Sequence, residues 1–241
     1  MDLWRGYGAG AYVETSGEEV LFTLVREKVR DQTETVIFDV GANVGEFSAV
    51  AFKSLGSGIK IHAFEPSQNI CEQLSSRFAG NDHIVINNLA LGREAGELPL
   101  YGTSRDTGMA SLLPRNLDHV GLSSSFQEIV KVTRLADYCE SQGLAQIHLL
   151  KMDVEGYELE VLAGAESLFA NGKVLMCSFE FGGCNLDART FLRDFFEFFN
   201  RHKMQIHRIT PASTLVKIPR YSENLERFTT TNYVALSENW D

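Results

Sequence analysis

Two carboxylates lie where a chain that binds a nucleotide-like cofactor would need them. Asp39 follows the apolar run Thr35–Phe38 and leads a turn that contains Gly41 and Gly45. Glycine has no Cβ, so such a turn can bend tightly and bring its backbone close to a ligand. Glu65 ends the next apolar run, where a carboxylate can accept both hydroxyls of a ribose. The two acids and the turn predict a site for an adenosine cofactor, with a plain strand-to-helix turn as the structural alternative.

The residues of this turn also distinguish between cofactors. Dinucleotide-binding folds use Gly-x-Gly-x-x-Gly to pack the backbone against an anionic pyrophosphate. Here the third glycine is missing, and the leading Asp39 would lie awkwardly beside phosphate charges. A carboxylate suits the ammonium and sulfonium charges of S-adenosylmethionine instead, because opposite charges attract. The sequence therefore favours a methyl donor, and a nicotinamide-dependent oxidoreductase is the alternative on the same fold.

Three more acids follow later apolar runs and are candidates for catalysis. Asp153 and Glu155 follow the run that begins at Ile147, and Glu180 ends the next one. Parallel strands end at the same edge of a sheet, so we expect these side chains beside the cofactor. An acceptor hydroxyl is a poor nucleophile until it begins to lose its proton, which a carboxylate can take. Asp153 and Glu180 could also bind a divalent ion such as Mg²⁺, which prefers oxygen ligands.

Other titratable residues have simpler interpretations. Glu158 and Glu160 lie at the start of a predicted helix, where the helix dipole favours acids without any catalytic role. His62 and His148 lie inside predicted strands and are interpreted as core residues. His119 lies in irregular sequence and is the histidine that we consider as a base. The sequence shows no His/Cys zinc pattern and no Gly-x-Ser-x-Gly elbow.

Alternating strands and helices must position these residues. The order predicts an α/β fold with a largely parallel sheet, and the terminal pair of strands includes an antiparallel edge. A stripe of phenylalanines on the last helix predicts packing against the core, with a subunit contact as the alternative. Apolar runs predict strands at 35–39, 59–64, 84–88, 147–153, 174–180, 205–209 and 232–236, and amphipathic patterns predict helices at 16–29, 46–55, 69–79, 158–170 and 187–201.

The alternation fails between Leu98 and about Arg134. Two short runs there, 98–101 and 129–133, predict strands, and the sequence between them is rich in Gly, Ser and Asp. A long interruption of this kind in a compact domain is usually functional. We therefore expect this inserted segment to shape the pocket for the substrate.

Composition limits the classes of protein that the chain can represent. The chain has 241 residues, 44% of them hydrophobic, which allows one α/β core and little more. We expect one domain over 1–241, with an N-terminal capping segment at 1–34 and the inserted substrate-side segment at 98–134. The formal net charge of -10 would repel a nucleic-acid backbone, and no apolar stretch reaches membrane-spanning length. The first residues show no secretion signal and the four cysteines form no Cys-x-x-Cys pair, so the predicted compartment is the cytoplasm.

Four segments taken together resemble the FkbM-type S-adenosylmethionine-dependent methyltransferases. They are Phe38-Asp-Val-Gly-Ala-Asn-Val-Gly45, Phe64-Glu-Pro66, Asn88-Leu-Ala-Leu-Gly92 and Leu150-Lys-Met-Asp-Val-Glu-Gly-Tyr-Glu158. The resemblance runs from about Val36 to Leu236. It implies a Rossmann-like class I methyltransferase fold, with a mostly parallel seven-stranded sheet, an antiparallel edge strand and helices on both faces. The implied reaction is O-methylation of a hydroxyl on a sugar, polyketide or related small metabolite.

The resemblance also implies roles for individual residues. The implied contacts are Asp39, Gly41, Asn43 and Gly45 around the methionine part of S-adenosylmethionine, Glu65 at the ribose, and Asn88 with Leu89 at the adenine edge. Ala42, Pro66 and Asp153 complete the predicted cofactor set. The predicted partner is a small hydroxyl acceptor, with no nucleic acid and no membrane, and a homo-oligomer is left open. A module that binds the cofactor without turnover is the alternative from a different class of protein.

Overall fold

The structure is a computed structural model that describes residues 13–28, 35–104, 110–118, 121–122 and 126–238. Its strands are β1 (Thr35–Val40), β2 (Ile59–Phe64), β3 (Ile84–Asn87), β4 (Ala90–Leu91), β5 (Gly96–Gly102), β6 (Phe126–Thr133), β7 (Leu149–Met152), β8 (Met176–Phe181), β9 (Met204–Ile209), β10 (Leu215–Lys217) and β11 (Thr231–Ser237). Its helices are α1 (Val13–Ser16), α2 (Glu19–Lys28), α3 (Glu46–Leu55), α4 (Gln68–Arg77), α5 (Leu135–Ser141), α6 (Glu158–Gly164), α7 (Glu166–Ala170), α8 (Cys184–Ala188) and α9 (Leu192–Arg201). None of the helices within these ranges is long and apolar enough to cross a membrane.

The middle of the large sheet holds the point at which the chain reverses its direction of winding. The strand order is β10-β9-β11-β8-β7-β1-β2-β3, and β1 pairs in parallel with both β2 and β7. In open α/β sheets, ligands bind outside the carboxyl ends of the strands at such a point. The turn that follows β1 and the segment that follows β7 therefore lie side by side, as the sequence predicts.

Two buried clusters cover the two faces of this sheet. Val36, Phe38 and Val40 of β1 belong to one cluster, together with residues of α6 and α9. Ile37 belongs to the other cluster, together with residues of α2 and α3. Successive side chains of a strand point to opposite faces, so a run of apolar residues without alternation is what a strand between two helical layers requires. The prediction of helices on both faces is confirmed.

The far half of the sheet contains one strand more than predicted. β11 lies between β8 and β9 and runs antiparallel to both. The short β10 pairs antiparallel with β9 and forms the edge of the sheet. A strand of three residues has too little pattern to be found from the sequence. The sheet is mostly parallel with an antiparallel edge, as expected, but among the described residues it has eight strands where we predicted seven.

The inserted segment forms a small sheet of its own. β6 lies between β4 and β5, pairing in parallel with β4 and antiparallel with β5. Both predicted strands of this segment exist and are longer than the apolar runs that predicted them. Beyond β5 the chain folds back, since the backbone N–H groups of Tyr101 and Ser111 each donate to the other residue's carbonyl at 2.8 and 2.9 Å. Ser111 is thus held against the end of β5.

The phenylalanine-rich helix predicted at 187–201 is broken in the structure. α8 and α9 are separated by a short link in which Arg189 has a left-handed φ of 54°. The predicted packing against the core is confirmed for Phe195, Phe198 and Phe199, which are buried. It is wrong for Phe191, which is 46% exposed because it lies in the link before α9.

Candidate active site

Many of the predicted cofactor residues line a cleft at the carboxyl ends of the central strands. Its empty space, which is continuous with the solvent, is about 570 Å³. Apolar side chains of β4, β5 and the inserted segment form one wall, including Leu91, Leu100 and Leu112. The predicted residues that line it are Gly41, Asn43, Glu65, Pro66, Leu89 and Asp153.

Gly41 joins the ends of three strands. Its φ is +80°, and a Cβ added there would lie 1.9 Å from the backbone oxygen of Asp153. The N–H groups of Gly41 and Ala42 both donate to the carbonyl of Phe64, at 3.0 and 2.9 Å. Positive φ and this close approach both require glycine. The turn after β1 is therefore fixed to the ends of β2 and β7, with Ala42 buried in that junction.

Glu65 is held with its carboxylate at the cleft. Its Oε2 accepts the backbone N–H of Asn43 at 3.0 Å, and its Oε1 accepts that of Ser67 at 2.9 Å. Burial raises the pKa of Glu65 to about 7, although both N–H donors act in the opposite direction. Each carboxylate oxygen has a second lone pair, so the group can still accept two hydroxyls when it is ionised. This geometry fits the predicted contact with a ribose.

Asn88 supports this turn and does not line the cleft. Its Nδ2 donates to the backbone oxygens of Glu65 and Pro66, at 3.0 and 2.9 Å. The neighbouring Leu89 does line the cleft. The predicted contact of Asn88 with an adenine therefore remains a prediction, while its structural effect is to hold the end of β2 in place.

Asp39 and Gly45 lie behind the cleft. Asp39 is fully buried, its Oδ2 accepts the hydroxyl of Ser48 at 2.7 Å, and its Oδ1 lies 3.6 Å from Nζ of Lys151. A Cβ on Gly45 would lie 2.5 Å from the ring of Phe78, so this glycine allows α3 to begin close to the end of α4. Their predicted contacts with a ligand also remain predictions.

Lys151 is a buried cation among acids. Its Nζ lies 3.3 Å from Oδ2 of Asp153 as well as near Asp39. Burial lowers the pKa of the Lys151 ammonium, but the carboxylates of Asp153, Asp39 and Glu18 raise it more, and it stays protonated. Asp153 is the open member of this group, because 42% of its side chain is exposed.

Glu155 is already engaged by a cation from the inserted segment. Its Oε2 accepts from Nη1 of Arg115 at 2.6 Å, and its backbone oxygen accepts from the hydroxyl of Ser111 at 2.9 Å. Burial and the neighbouring Asp153 raise the pKa of Glu155 to about 7 against the effect of Arg115. Glu155 therefore ties the insertion to the end of β7, and it does not line the cleft.

Glu158 also holds this loop. It is 1% exposed, and its Oε1 accepts the backbone N–H groups of Val154 and Gly156 at 3.2 Å each. Burial raises its pKa to about 7. These contacts agree with a structural role for Glu158, although a more specific one than the helix dipole suggests.

Glu180 belongs to β8, close enough to Asp153 for the two carboxylates to interact. Burial raises its pKa well above the usual range, and the carboxylates of Asp153, Glu155 and Glu158 raise it further. Within the described ranges, no group of three or more His, Cys, Asp and Glu side chains could hold a metal ion. The predicted metal ligands are thus the pair Asp153 and Glu180 alone. His119, the candidate base among the histidines, lies outside the described residues.

Sequence reasoning missed two charged residues near the site. Arg115 lies in irregular sequence without a pattern, and only the fold brings it to Glu155. The sequence around Glu18 is typical of an ordinary acid at the start of a helix. In the structure Glu18 is only 6% exposed, and its carboxylate helps to raise the pKa of Lys151. Neither partner could be assigned without the packing of the N-terminal and inserted segments on the sheet.

The strand order, the glycine turn after β1 and the acid after β2 together define a class I methyltransferase fold. The family model of the methyltransferase FkbM domain matches residues 39–205. The chain belongs to this family, and the resemblance that the four sequence segments indicate is confirmed.

Several characterised proteins are similar to part of the chain. Methyltransferase sdnD of Sordaria araneosa is 33% identical over 156 residues, 54% of this chain and 60% of that protein. The 31-O-demethyl-FK506 methyltransferase FkbM of Streptomyces tacrolimicus is 32% identical over 170 residues, 59% of this chain and 64% of that protein. The chain thus spans about three fifths of the length of these two relatives. Among solved structures, a SAM-dependent methyltransferase from Agrobacterium tumefaciens aligns over 94% of this chain and 62% of its own at 8% identity, and its TM-score of 0.48 is too low to support a conclusion.

Proposed function

We propose that this protein transfers a methyl group from S-adenosylmethionine to a hydroxyl of a small metabolite. The observation that carries the proposal is the Glu65 carboxylate, which is held at the cleft beside the Gly41 turn by two backbone N–H groups. Membership of the FkbM methyltransferase domain family supports it. The printed names of relatives support oxygen as the acceptor atom, since two of them are a 31-O-demethyl-FK506 methyltransferase and a 2-O-methyltransferase, NoeI of Sinorhizobium fredii. The acceptor classes are a sugar, a polyketide or a related metabolite.

The lining of the cleft fits the proposed cofactor. Glu65 can accept the two ribose hydroxyls, and Leu89 with its apolar neighbours provides a surface for the adenine ring. Gly41 and Asn43 line the same cleft and would lie beside the methionine part. When bound, S-adenosylmethionine supplies a methyl group on a positively charged sulfur, and the acids around Asp153 suit that charge.

Asp153 is the residue that we assign to the acceptor proton. The acceptor oxygen forms a bond to the methyl carbon while the carbon–sulfur bond breaks and its electron pair stays on sulfur. The hydroxyl proton passes to the carboxylate of Asp153. Among the three predicted catalytic acids, Glu155 is paired with Arg115, and burial together with nearby carboxylates raises the pKa of Glu180. Only Asp153 both lines the cleft and is exposed.

Activation by a divalent ion is the second candidate for this step. Asp153 and Glu180 would supply two oxygen ligands, and an ion such as Mg²⁺ would complete its shell with water. A chelator added to active protein distinguishes the two mechanisms. Unchanged turnover supports Asp153 as a base, and loss of turnover that added Mg²⁺ restores supports the metal.

Calorimetric titration tests the cofactor, and labelled methyl transfer tests the reaction. We expect binding of S-adenosylmethionine and none of NAD, and transfer of label to hydroxyl acceptors among glycosides and polyketides. Binding of NAD alone would support an oxidoreductase. Binding of the donor without methylation of any acceptor would support a binding module. Three further expectations remain predictions. They are the lack of a nucleic-acid partner, a cytoplasmic location and a possible homo-oligomer.

A further inference from the structure

Arg115 connects the inserted segment to two other elements near the cleft. Its Nη1 donates to Oε2 of Glu155 at 2.6 Å, in the loop between β7 and α6. Its Nε lies 3.8 Å from Oδ2 of Asp187 in α8. All three side chains are largely buried, and a charge-assisted hydrogen bond of this kind is among the stronger polar contacts of a protein. One cation of the insertion is therefore shared between two acids of the main fold.

A second contact joins the insertion to the same loop residue. The hydroxyl of Ser111 donates to the backbone oxygen of Glu155 at 2.9 Å. On its other side, Ser111 pairs with Tyr101 at the end of β5. Residues 110–112 line the cleft, and we call them the inserted wall. The inserted wall is thus attached to Glu155 directly through Ser111, and again through Arg115 a few residues later.

The loop that carries Glu155 also carries Asp153, and its backbone is held in place. Oε1 of Glu158 accepts the N–H groups of Val154 and Gly156. Asp153 and Val154 line the cleft, whereas Glu155 does not. Because only Val154 separates Glu155 from Asp153, a segment that is fixed to Glu155 is also fixed relative to the backbone of Asp153.

The separation between the inserted wall and Asp153 matters for methyl transfer. The reacting atoms must lie in line about 3–3.5 Å apart, and a misplacement of about 1 Å can lower a rate about 100-fold. The inserted wall and Asp153 line the same cleft, so their separation limits where an acceptor hydroxyl can lie. Glu65 is held by the N–H groups of Asn43 and Ser67, which do not belong to the insertion. A displaced wall should therefore affect the acceptor more than the donor.

We propose that Arg115 is a positioning residue for methyl transfer, and that it acts through Glu155 to hold the inserted wall at the correct separation from Asp153. The proposal rests on the proposed function, in which Asp153 takes the proton of the acceptor. It assigns Glu155 to the support of Arg115 and removes it from the candidates for the base. Neither Arg115 nor Glu155 lines the cleft, so both act through the residues that do.

Steady-state kinetics with saturating donor test the role of Arg115. We expect Arg115→Met to lower kcat/KM for the acceptor at least tenfold, mostly through kcat, and to change the Kd for S-adenosylmethionine less than threefold. Arg115→Lys keeps the charge and should lose less than Arg115→Met. Arg93→Met is the matched control, because it breaks an exposed pair with Glu160, and it should leave both constants within twofold of wild type. Wild-type kinetics in Arg115→Met would overturn the proposal, and so would a loss in Kd as large as the loss in kcat/KM.

A double variant tests whether Arg115 acts through Glu155. The combination of Arg115→Met with Glu155→Gln should be no slower than the slower of the two single variants, because both remove the same contact. Losses that multiply would contradict this route. A Glu155→Gln protein at least a hundredfold slower than wild type, with Arg115→Met unimpaired, would show that Glu155 is the base and would also overturn the proposal.

Amide hydrogen exchange provides a test that needs no acceptor. The N–H of Ser111 donates to the carbonyl of Tyr101, and that of Leu113 donates to Oγ of Ser111. We expect both amides to exchange faster in Arg115→Met than in wild type, with unchanged exchange in β1 and β2. Unchanged exchange at both amides would overturn this proposal alone. A wild-type protein that binds no S-adenosylmethionine would instead contradict the proposed function, and with it the role of Arg115 in methyl transfer.

Discussion

Single residues of this site act mostly through their partners. Asp39 and Glu155 were recognisable from the sequence as acids near a cofactor edge, and Glu158 as an acid at the start of a helix, but their partners were not. Lys151 pairs with Asp39 on the neighbouring strand, and the register that brings them together is a property of the sheet. Glu65 lines the cleft where the sequence predicts it, because it directly follows its own strand, and its contact with a ribose remains a prediction. The predictions were weakest for acids whose role depends on packing.

Glu65 should make cofactor binding depend on pH. Its pKa is about 7, and only its ionised form accepts two ribose hydroxyls. For one group of this pKa, the fraction ionised predicts affinity about tenfold lower at pH 6 than at pH 8. Calorimetric titration with S-adenosylmethionine across this range measures the effect. Glu65→Gln should bind more weakly at pH 8 and lose this dependence, and an unaltered pH profile in the variant would exclude Glu65 as its source.

Gly41 and Gly80 offer a matched pair of substitutions. Both have a φ of +80°, but a Cβ on Gly41 meets the Asp153 carbonyl whereas a Cβ on Gly80 has nothing within 4 Å. Gly80→Ala should cost about 1 kcal/mol from backbone strain alone. Gly41→Ala should cost more than about 4 kcal/mol, since the clash cannot be relieved by a side-chain movement. Urea unfolding measures both, and equal costs would show that the junction of β1 and β7 is not tightly packed.

At the scale of elements, the loop between β7 and α6 is the most constrained segment of the site. Glu158 binds its backbone, Arg115 of the insertion binds Glu155, and Gly41 packs on its first residue. The central strands β1, β7 and β8 were predictable because each is a largely apolar and buried run. The division between α8 and α9 was not, because it depends on one left-handed residue, Arg189, that has no sequence signal.

The ion pair that joins the insertion to this loop should be measurable by a double-mutant cycle. The side chains of Arg115 and Glu155 are only 13% and 20% exposed, so water screens their interaction poorly. For Arg115→Met and Glu155→Gln we expect a coupling free energy of about 1–3 kcal/mol in urea unfolding. The pair Arg93 and Glu160, 58% and 36% exposed, is the control and should give less than about 1 kcal/mol. Equal couplings would mean that the insertion is not held by this contact.

At the scale of the whole molecule, acids outnumber cations by 32 to 22, and Asp39, Glu65 and Glu158 form a concentration of buried acids at the carboxyl edge of the sheet. The fold class could be predicted, because the alternation of strands and helices permits few arrangements. The position of β11 inside the sheet could not be predicted, nor could the small polar cleft that Glu18, Glu180 and Asn232 line. Both depend on how the last strand and the N-terminal segment pack against β8 and β7, and no local sequence pattern indicates that packing.

This concentration of acids predicts how stability depends on pH. Glu65, Glu155 and Glu158 have pKa values of about 7 in the folded protein, against about 4.5 as the ordinary value. The folded protein therefore binds more protons than the unfolded chain between these values, and the free energy of unfolding falls as the pH rises through that window. We expect these three groups to make the unliganded protein more stable at pH 5.5 than at pH 8 by roughly 6 kcal/mol, against which the pKa of buried His62, lowered to about 4, acts by about 1 kcal/mol. Urea unfolding at both values measures this difference.

Glu158→Gln is the variant that identifies the source of this effect. It removes one titrating group and keeps the shape of the side chain, so the difference between the two pH values should shrink. A wild-type protein that is less stable at pH 5.5 than at pH 8 would contradict the expected direction. A variant with the full difference would show that Glu158 is not part of it.

Asp153 lies between a larger and a smaller cleft, and the two are built from different stretches of polypeptide. The turn after β1, the end of β2 and the insertion form the larger cleft, whereas Glu18, β8 and β11 contribute most of the smaller one. A combinatorial library randomised at Ser178, Glu180 and Asn232 would therefore change the smaller cleft and leave the larger one with its native residues. Selection from such a library would explore the surroundings of Asp153 without altering the residues around Glu65 and Gly41.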